Sequence, residues 1–280
     1  MLLVVRSLLE TLGVVGLTVA GVAVGRWCSR LRGRWWFIGY IAPLVLILFI
    51  GMARWYPRWE IVPPFAWIMA GRLEFALLAL AAAILLMTPL SRLPQRRQRV
   101  AIVILLIVVV TQMSFIPFLA PAFNCRYLSG LETMIDSHGV CLQSTDYTCG
   151  PAAAVTVLRQ HGLEAEEGRI AVLARTTRFT GTPPDLLCMA VEKVSGLQGR
   201  FTYAPSLDHL RDKVPFIALV KYAFLIDHYV TVLEVRDDAV VIADPLIGRT
   251  ELTRSEFDDR WRNSGIVFHD PVRNPCRGRP

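Results

Sequence analysis

Four side chains of types that cooperate in acyl chemistry lie in three short segments of the second half of the chain. QSTDYTCGPAA contains Gln143 and, six residues later, Cys149; DHYVTV contains His228, and IADP contains Asp244. A thiol can attack a carbonyl group when a histidine takes up its proton and a carboxylate orients that histidine. Donors must also stabilise the oxyanion that forms. These residue types therefore suit a nucleophile, a base, an orienting acid and an oxyanion donor.

Cys149 directly precedes a stretch of helix-forming composition. Residues 150–162 contain alanines, valines and a leucine, and they end in Gly162, which suits a helix C-terminus. A helix N-terminus has unpaired N–H groups and a positive partial charge, which stabilise a thiolate. The small residues that follow, GPA, would let a substrate backbone approach. Taken alone, however, a cysteine at a helix start is more often a buried structural residue.

The elements around these residues change from helix to strand along the chain. Helical patterns occur over 150–162, 166–177, 182–196 and 206–213, and strand patterns occur over 215–222, 228–235 and 239–245. Helices followed by an antiparallel sheet make an α+β domain.

His228 and Asp244 lie on the last two predicted strands. A turn centred on residues 236 and 237 places residue 228 opposite residue 245, so the hairpin makes His228 and Asp244 near neighbours. Asp244 could then hold one imidazole nitrogen while the other faces Cys149. Each residue alone also has an ordinary interpretation, as a polar strand end and as a turn acid. Gln143 fits an oxyanion donor and a solvated loop residue equally well.

The first part of the chain is strongly apolar. Of the 280 residues 54% are hydrophobic, and the mean hydropathy of +0.44 is too high for an ordinary soluble domain. Uncharged runs cover residues 35–53, 75–91 and 100–125. Since a spanning helix needs about 20 apolar residues, we predict transmembrane helices at about 7–25, 35–53, 73–91 and 100–122. The first of these segments also fits a signal peptide.

Charge is divided unevenly between the two parts. Residues 1–126 contain 13 arginines, no lysine and 3 acids, a net +10, whereas residues 127–280 contain 17 basic and 20 acidic residues, a net −3. This favours loops that face anionic lipid, and no nucleic-acid partner is expected. Four arginines in each of the loops 26–34 and 92–99 place both loops in the cytoplasm. The next helix then leads outward, which places the C-terminal domain on the periplasmic or extracellular side.

The composition changes near residue 125. We assign 1–124 to a transmembrane region, 125–268 to the α+β domain and 269–280 to a flexible tail. An external domain permits disulfides, and Cys125 with Cys141 is the candidate pair. No Cys/His spacing resembles a zinc site, so neither a metal nor a cofactor is expected. The sequence contains no GxxxxGK[ST] loop, which gives no support to ATP-driven export by this chain.

Taken together, the three segments resemble the bacteriocin-processing cysteine peptidases of the papain-like clan, which act on double-glycine leaders. The resemblance rests on a Gln, five residues and a Cys-Gly pair, then His-Tyr-Val, then Asp-Pro with a nearby Gly, and it covers about residues 138–268. It implies a papain-like α+β fold. It also implies that Cys149 is the nucleophile, His228 the base, Asp244 the orienting residue and Gln143 the oxyanion donor.

The same resemblance implies a peptide or small-protein substrate, the lipid bilayer as surroundings, and a separate membrane transporter as a candidate partner. In the best-known members the peptidase precedes the transporter and lies in the cytoplasm, whereas here it follows the membrane segments. Two other functions stay open at this point. One is a non-catalytic peptide-binding module of an export or maturation system, and the other is an acyltransferase or amidase that uses the same residues.

Overall fold

A computed structural model describes residues 2–60, 62–65, 68, 73–223 and 226–269. The chain divides into two compact units, Met1–Phe123 and Asn124–Pro280. Residues 270–280, which make up nearly all of the expected flexible tail, lie outside the described part.

The first unit is helical. Its helices are α1 (Leu2–Arg30), α2 (Ile38–Trp55), α3 (Pro57–Glu60), α4 (Leu73–Met87) and α5 (Arg96–Val110), and α6 (Ile116–Leu128) begins in it. By length and composition, three stretches of the described residues could cross a membrane, namely Val5–Arg30, Trp35–Ala53 and Leu73–Arg92.

The fourth expected span is bent. Instead of one helix over 100–122, a π-helical turn at Thr111–Phe115 separates α5 from α6, and the two helices meet at 48°. Pro117 explains the break, because it lacks the N–H that would bond to the carbonyl of residue 113 and its ring crowds that turn. The pair makes a fourth span only if both helices belong to one crossing.

Small residues bring α1 close to α4. A Cβ atom on Gly21 would lie 2.9 Å from the Cβ of Ala83, and one on Gly25 would lie 2.7 Å from the carbonyl oxygen of Ile84. Since any larger side chain would push the helices apart, glycine permits this approach, as is common between helices in membranes.

The second unit is an α+β domain. Helices α7 (Cys149–Gln160), α8 (Glu167–Leu173) and α9 (Pro184–Ser195) precede the sheet in the chain, and α10 (Arg254–Arg260) lies between its last two strands. The sheet contains β3 (Gln198–Tyr203), β4 (Phe216–Ala223), β5 (Ile226–Val235), β6 (Ala239–Asp244), β7 (Gly248–Thr253) and β8 (Trp261–His269). Neighbouring strands are antiparallel, in the order β3-β8-β4-β5-β6-β7. A two-stranded ribbon of β1 (Met134–Ile135) and β2 (Cys141–Leu142) precedes α7.

The predicted fold class is confirmed, with N-terminal helices followed by an antiparallel sheet. Helix α7 packs against the sheet through a face of fully buried residues that includes Ala153 and Val157. Two buried hydrogen bonds fix its position: Thr231 Oγ1 donates to the carbonyl oxygen of Ala153 at 2.9 Å, and the backbone N–H of Cys141 donates to Thr156 Oγ1 at 2.9 Å. The start of α7 is thereby held against β5, the strand that contains His228.

The candidate disulfide between Cys125 and Cys141 is not formed, and both cysteines are free. Cys141 is fully buried in the core beneath α7, while Cys125 lies on α6. Burial raises the pKa of the Cys141 thiol to about 12. Cys141 therefore acts as a small apolar core residue.

Candidate active site

Cys149 is the first residue of α7, and its side chain is partly exposed. The preceding residue, Thr148, is fully buried, and its hydroxyl accepts hydrogen bonds from the N–H and the Oγ1 of Thr145, each at 3.1 Å. These hydrogen bonds to the buried hydroxyl fix the turn from 145 to 148, and the turn sets the direction in which the chain enters the helix.

The small residues after Cys149 have a different role from the expected one. Residues 150–152 are all buried, so they do not face an approaching substrate. A Cβ atom on Gly150 would lie 3.0 Å from the Cβ of Thr182 and 3.3 Å from the ring of Tyr229. Glycine at this position lets the start of α7 pack closely against β5.

His228 and Asp244 are in direct contact. Nε2 of His228 lies 2.7 Å from Oδ1 of Asp244, and the imidazole is 6% exposed. The Cys149 side chain lies within interaction distance of the imidazole. Because Asp244 occupies Nε2, Nδ1 is the nitrogen left for the sulfur. The structure thus brings these three predicted residues together in one chain of contacts.

The charge state of His228 follows from these contacts. Burial by itself would lower the pKa of His228, but the hydrogen bond to Asp244, the interaction with Cys149 and the charges of both groups raise it from 6.5 to about 9. The imidazole therefore binds a proton at neutral pH. A positive imidazolium beside a sulfur atom is the electrostatic setting that a cysteine nucleophile needs.

Asp244 is held by its own backbone turn. Its Oδ1 also accepts the N–H of Leu246 at 2.8 Å, and residue 244 pairs across the turn with Gly248. Gly248 has a φ of +86°, a conformation that favours glycine. The carboxylate is consequently oriented before any substrate arrives.

The register between β5 and β6 differs from the predicted one. The turn centres on residues 237 and 238, because Arg236 N–H donates to the carbonyl of Ala239, and a β-bulge between Val232 and Glu234 shifts the pairing. Thr231 pairs with Ala243, so continuing this register places Asp244 opposite Val230. His228 lies two residues from Val230 on the same face, which makes it the diagonal neighbour of Asp244.

Gln143 lies at the same end of the domain. Its backbone N–H donates to the carbonyl of Pro245 at 2.9 Å, which ties the glutamine to the residue after Asp244. Its Nε2 donates to the carbonyl of Thr145 at 2.7 Å, while its Oε1 is buried and has no partner among the described residues. The amide nitrogen carries two hydrogens, so one N–H is left to donate elsewhere.

A second set of residues, which the sequence did not indicate, supports this loop. Glu167 is fully buried, and its Oε1 and Oε2 accept from the N–H of Ser144 at 3.0 Å and from the Ser144 hydroxyl at 2.6 Å. The N–H of Glu167 donates to Thr133 Oγ1 at 2.9 Å. An acid in a predicted helix gives no sign of burial, so only the three-dimensional structure identifies Glu167 as the anchor of the loop that contains Gln143.

No cluster of three or more potential metal ligands occurs among the residues that were described. The neighbourhood of Cys149 contains a thiol, an imidazole, a carboxylate and amide groups. This set of groups suits covalent acyl chemistry.

Comparison with known proteins agrees with this reading of the domain. Residues 137–272 match the model of the peptidase C39 family. An uncharacterized protein of Methanothermobacter marburgensis is 32% identical over 137 residues, which are 49% of this chain and 92% of that protein. The probable functional amyloid protease FapD of Pseudomonas fluorescens is 31% identical over 138 residues, which are 45% of this chain and 57% of FapD.

A solved structure is also similar. The peptidase domain of Streptococcus ComA, a bi-functional ABC transporter involved in a quorum sensing pathway, is 22% identical, with a TM-score of 0.42. The match covers 49% of this chain and 98% of the ComA domain. Through its C-terminal domain, the chain belongs to the peptidase C39 family, and it is a cysteine-type peptidase.

Proposed function

We propose that the chain is a membrane-anchored peptidase that cuts a peptide or small protein with Cys149 as nucleophile, His228 as acid and base, Asp244 as orienting residue and Gln143 as oxyanion donor. The observation that carries this proposal is the continuous contact from the Cys149 side chain through His228 to Asp244, with 2.7 Å between Nε2 and Oδ1. Membership of a peptidase family supports the choice of a peptide bond as the target.

In the first half of the reaction, the Cys149 thiolate attacks the carbonyl carbon of the substrate. A carbon–sulfur bond forms, and the carbonyl electrons move to the oxygen. The His228 imidazolium then donates its proton to the amide nitrogen, the carbon–nitrogen bond breaks, and the amine product leaves. The acyl group remains on sulfur as a thioester.

In the second half, water attacks the thioester while neutral His228 takes up one of its protons. The carbon–sulfur bond breaks, and the acid product leaves. The sulfur departs as a thiolate next to the protonated imidazole, so the starting charges are restored. Asp244 stays ionised throughout and stabilises the imidazolium at each stage.

The oxyanion needs donors at the start of α7. The backbone N–H of Cys149 is one, because the first N–H groups of a helix have no partner within it. The second hydrogen of Gln143 Nε2 is the other. The bond from Gln143 Nε2 to Thr145 orients this amide, and an oriented dipole stabilises developing charge without reorganisation.

Anchoring in a membrane is part of the proposal. The three apolar helical stretches of the first unit are long enough to span, and each of them borders a loop with four arginines. The positive-inside rule then places these loops in the cytoplasm. If α5 and α6 together make one further crossing, the peptidase domain lies on the other side. The test is a fusion, after residue 268, of a reporter that is active only in the cytoplasm. Activity of this reporter would refute the placement of the peptidase domain outside the cytoplasm.

The central experiment is labelling with a thiol-reactive peptidyl electrophile, comparing the native chain with Cys149→Ala. We expect labelling and peptide cleavage in the native chain and neither in the variant. Cys141 and Cys188 should not react, because burial raises the pKa of each thiol to about 12. Peptide turnover that survives Cys149→Ala would refute the mechanism, and peptide binding without any turnover in the native chain would indicate a binding module instead.

The same experiment separates hydrolysis from acyl transfer. An added amine that captures the acyl group without net release of the acid would identify a transferase. Co-purification of a transporter with the full chain would test the proposed transport partner.

A further inference from the structure

A basic cavity lies at one end of the helices in the first unit. It has a volume of about 440 Å³, and its lining includes Arg26, Arg30, Arg96 and Arg99. The first two arginines belong to the last turns of α1, and the other two belong to the first turn of α5. Residues from separate arginine-rich loops therefore meet around a single space.

These arginines are not neutralised by the protein. In the described part of the chain, neither Arg26, Arg30 nor Arg96 has an acidic partner, and Arg99 donates from Nε only to the carbonyl of Leu93 at 2.9 Å. The first turn of α5 contains no acid, so the positive end of the helix dipole adds to the charge. Four guanidinium groups around one cavity produce a positive potential that favours the binding of an anion.

The floor of the cavity is a fixed structure. Ser29 is 3% exposed, its Oγ contacts the Oγ of Ser91, and the N–H of Ser91 donates to Ser29 Oγ at 3.2 Å. Ser91 Oγ also lies 3.1 Å from the carbonyl oxygen of Ser29. These contacts join the end of α1 to the segment after α4. The arginines of α1 consequently project from a braced helix end.

The remaining wall is apolar and open. Val100, Val103 and Ile104 line the cavity on α5, and they are 49%, 39% and 56% exposed. Val100 and Ile104 are four residues apart and thus share one helix face, which leads away from the arginines along α5. A ligand that fits both parts has an anionic head and a long apolar tail.

We infer that this cavity binds the headgroup of an anionic phospholipid, with the phosphate among the four arginines and an acyl chain along Val100, Val103 and Ile104. Arginine matches phosphate through paired N–H groups. Basic pockets between helices on the cytoplasmic side suit such headgroups, and the two loops involved are the ones placed there by their charge. The inference rests on the proposed membrane anchoring and is independent of the peptidase chemistry.

The test is native mass spectrometry of the full chain released from detergent micelles with added phosphatidylglycerol. We expect one phosphatidylglycerol to be retained, and phosphatidylcholine with the same chains to bind at least about tenfold more weakly. Glycerol 3-phosphate, which has the phosphate but no acyl chain, should not be retained at the same concentration. Equal retention of phosphatidylcholine, or of glycerol 3-phosphate, would overturn the lipid assignment.

Paired variants locate the site. Arg96→Gln with Arg99→Gln should weaken phosphatidylglycerol retention about thirtyfold, since each arginine near a charged headgroup contributes about a factor of five. Arg32→Gln with Arg97→Gln removes the same amount of charge from the two arginine-rich loops, but neither residue lines the cavity. This control should stay within about threefold of the native chain. Equal losses in both variants would mean diffuse charge and would refute a defined site.

A separate measurement tests the membrane anchoring on which the lipid site depends. A chain released from membranes by alkaline carbonate without detergent would refute the proposed anchoring and with it the lipid site. Labelling of Cys149 by the peptidyl electrophile should be equal in both paired variants, which verifies that the second unit folds in each of them.

Discussion

Nε2 of His228 and Oδ1 of Asp244 lie 2.7 Å apart although the two residues are not opposite each other in the sheet. The continued β5–β6 register places Val230 opposite Asp244, and His228 reaches the carboxylate diagonally along the same face. The pairing therefore depends on the bulge between Val232 and Glu234, because a shift by one residue would send the two side chains to opposite faces.

Removing the carboxylate should impair turnover in graded steps. We expect Asp244→Ala to lower kcat/KM by about 10²-fold or more, because the imidazole loses both its orientation and its compensating charge. Asp244→Asn keeps an acceptor oxygen without the charge, so its loss should be smaller. Steady-state kinetics on a peptide substrate measures both.

Asp227→Asn is the matched control for these variants. Asp227 directly precedes His228, but its carboxylate accepts from Arg262 Nε at 2.8 Å and does not contact the imidazole. This variant should retain nearly full activity. A loss equal to that of Asp244→Ala would indicate a general effect on β5.

The raised pKa of His228 predicts an alkaline limit to catalysis. The folded-state pKa is about 9, above the ordinary 6.5, so the proton and the stability that it contributes are fully present below pH 6.5 and lost as pH rises through about 9. We expect kcat/KM to fall above pH 9, because neutral His228 cannot protonate the leaving amine. Alkylation of Cys149 should not fall over that range, since it needs only the thiolate. A decline of both rates together would contradict this assignment.

The sequence shows the presence of the main elements but not their exact pairing. The helix after Cys149 and the strands of His228 and Asp244 are recognisable from periodicity and end signals, and all three form. The bulge near residue 233 depends on how β5 packs against both β4 and β6, so the sequences of β5 and β6 alone do not predict it. The predicted closeness of His228 and Asp244 holds, but with a different register.

Strands β3, β7 and β8 were not predicted from the sequence. Strand β7, GRTELT, lies at the sheet edge with alternately exposed residues, and β3, QGRFTY, is the opposite edge. Polar edge strands resemble loops in a sequence, since one side of each has no neighbour to bury it. The support given by Thr148 and Glu167 was missed for a similar reason, because burial of a polar side chain is decided by tertiary contacts.

The buried hydroxyl of Thr148 should affect both stability and catalysis. Thr148→Val has the same shape but removes the acceptor for Thr145, and an unpaired buried N–H costs about 1–3 kcal/mol. Because the carbonyl of Thr145 holds Gln143, kcat should fall while the rate of Cys149 alkylation stays the same. Thr148→Ser should restore kcat. Unchanged kcat in the valine variant would show that Thr148 does not act through Gln143, the proposed oxyanion donor.

The close approach at Gly150 predicts a steric cost. In Gly150→Ala the new methyl group would meet Thr182 at 3.0 Å and Tyr229 at 3.3 Å, and we expect a loss of about 1–3 kcal/mol in the free energy of unfolding. Gly130→Ala is the control, because its nearest neighbour would be the carbonyl of Tyr127 at 3.6 Å. The fraction of each variant that still reacts with the peptidyl electrophile at Cys149 after heating measures its stability. Equal heat resistance of the two variants would show that the start of α7 has room to move.

The buried carboxylate of Glu167 and the exposed one of Glu166 should differ strongly in their contribution to the stability of the domain. Glu167→Ala leaves the N–H of Ser144 without its partner, although the Ser144 hydroxyl can still donate to the carbonyl of Glu132, so the domain should lose about 1–3 kcal/mol of stability. Glu166→Ala changes the adjacent acid, which is exposed and forms no side-chain cap, and it should cost less than about 0.5 kcal/mol. Glu167→Gln keeps one acceptor oxygen for the N–H of Ser144 and should fall between them. Denaturant unfolding of the purified full chain, followed by loss of Cys149 labelling, gives this order. If Glu167→Ala were as stable as Glu166→Ala, the loop that contains Gln143 would be held by other contacts.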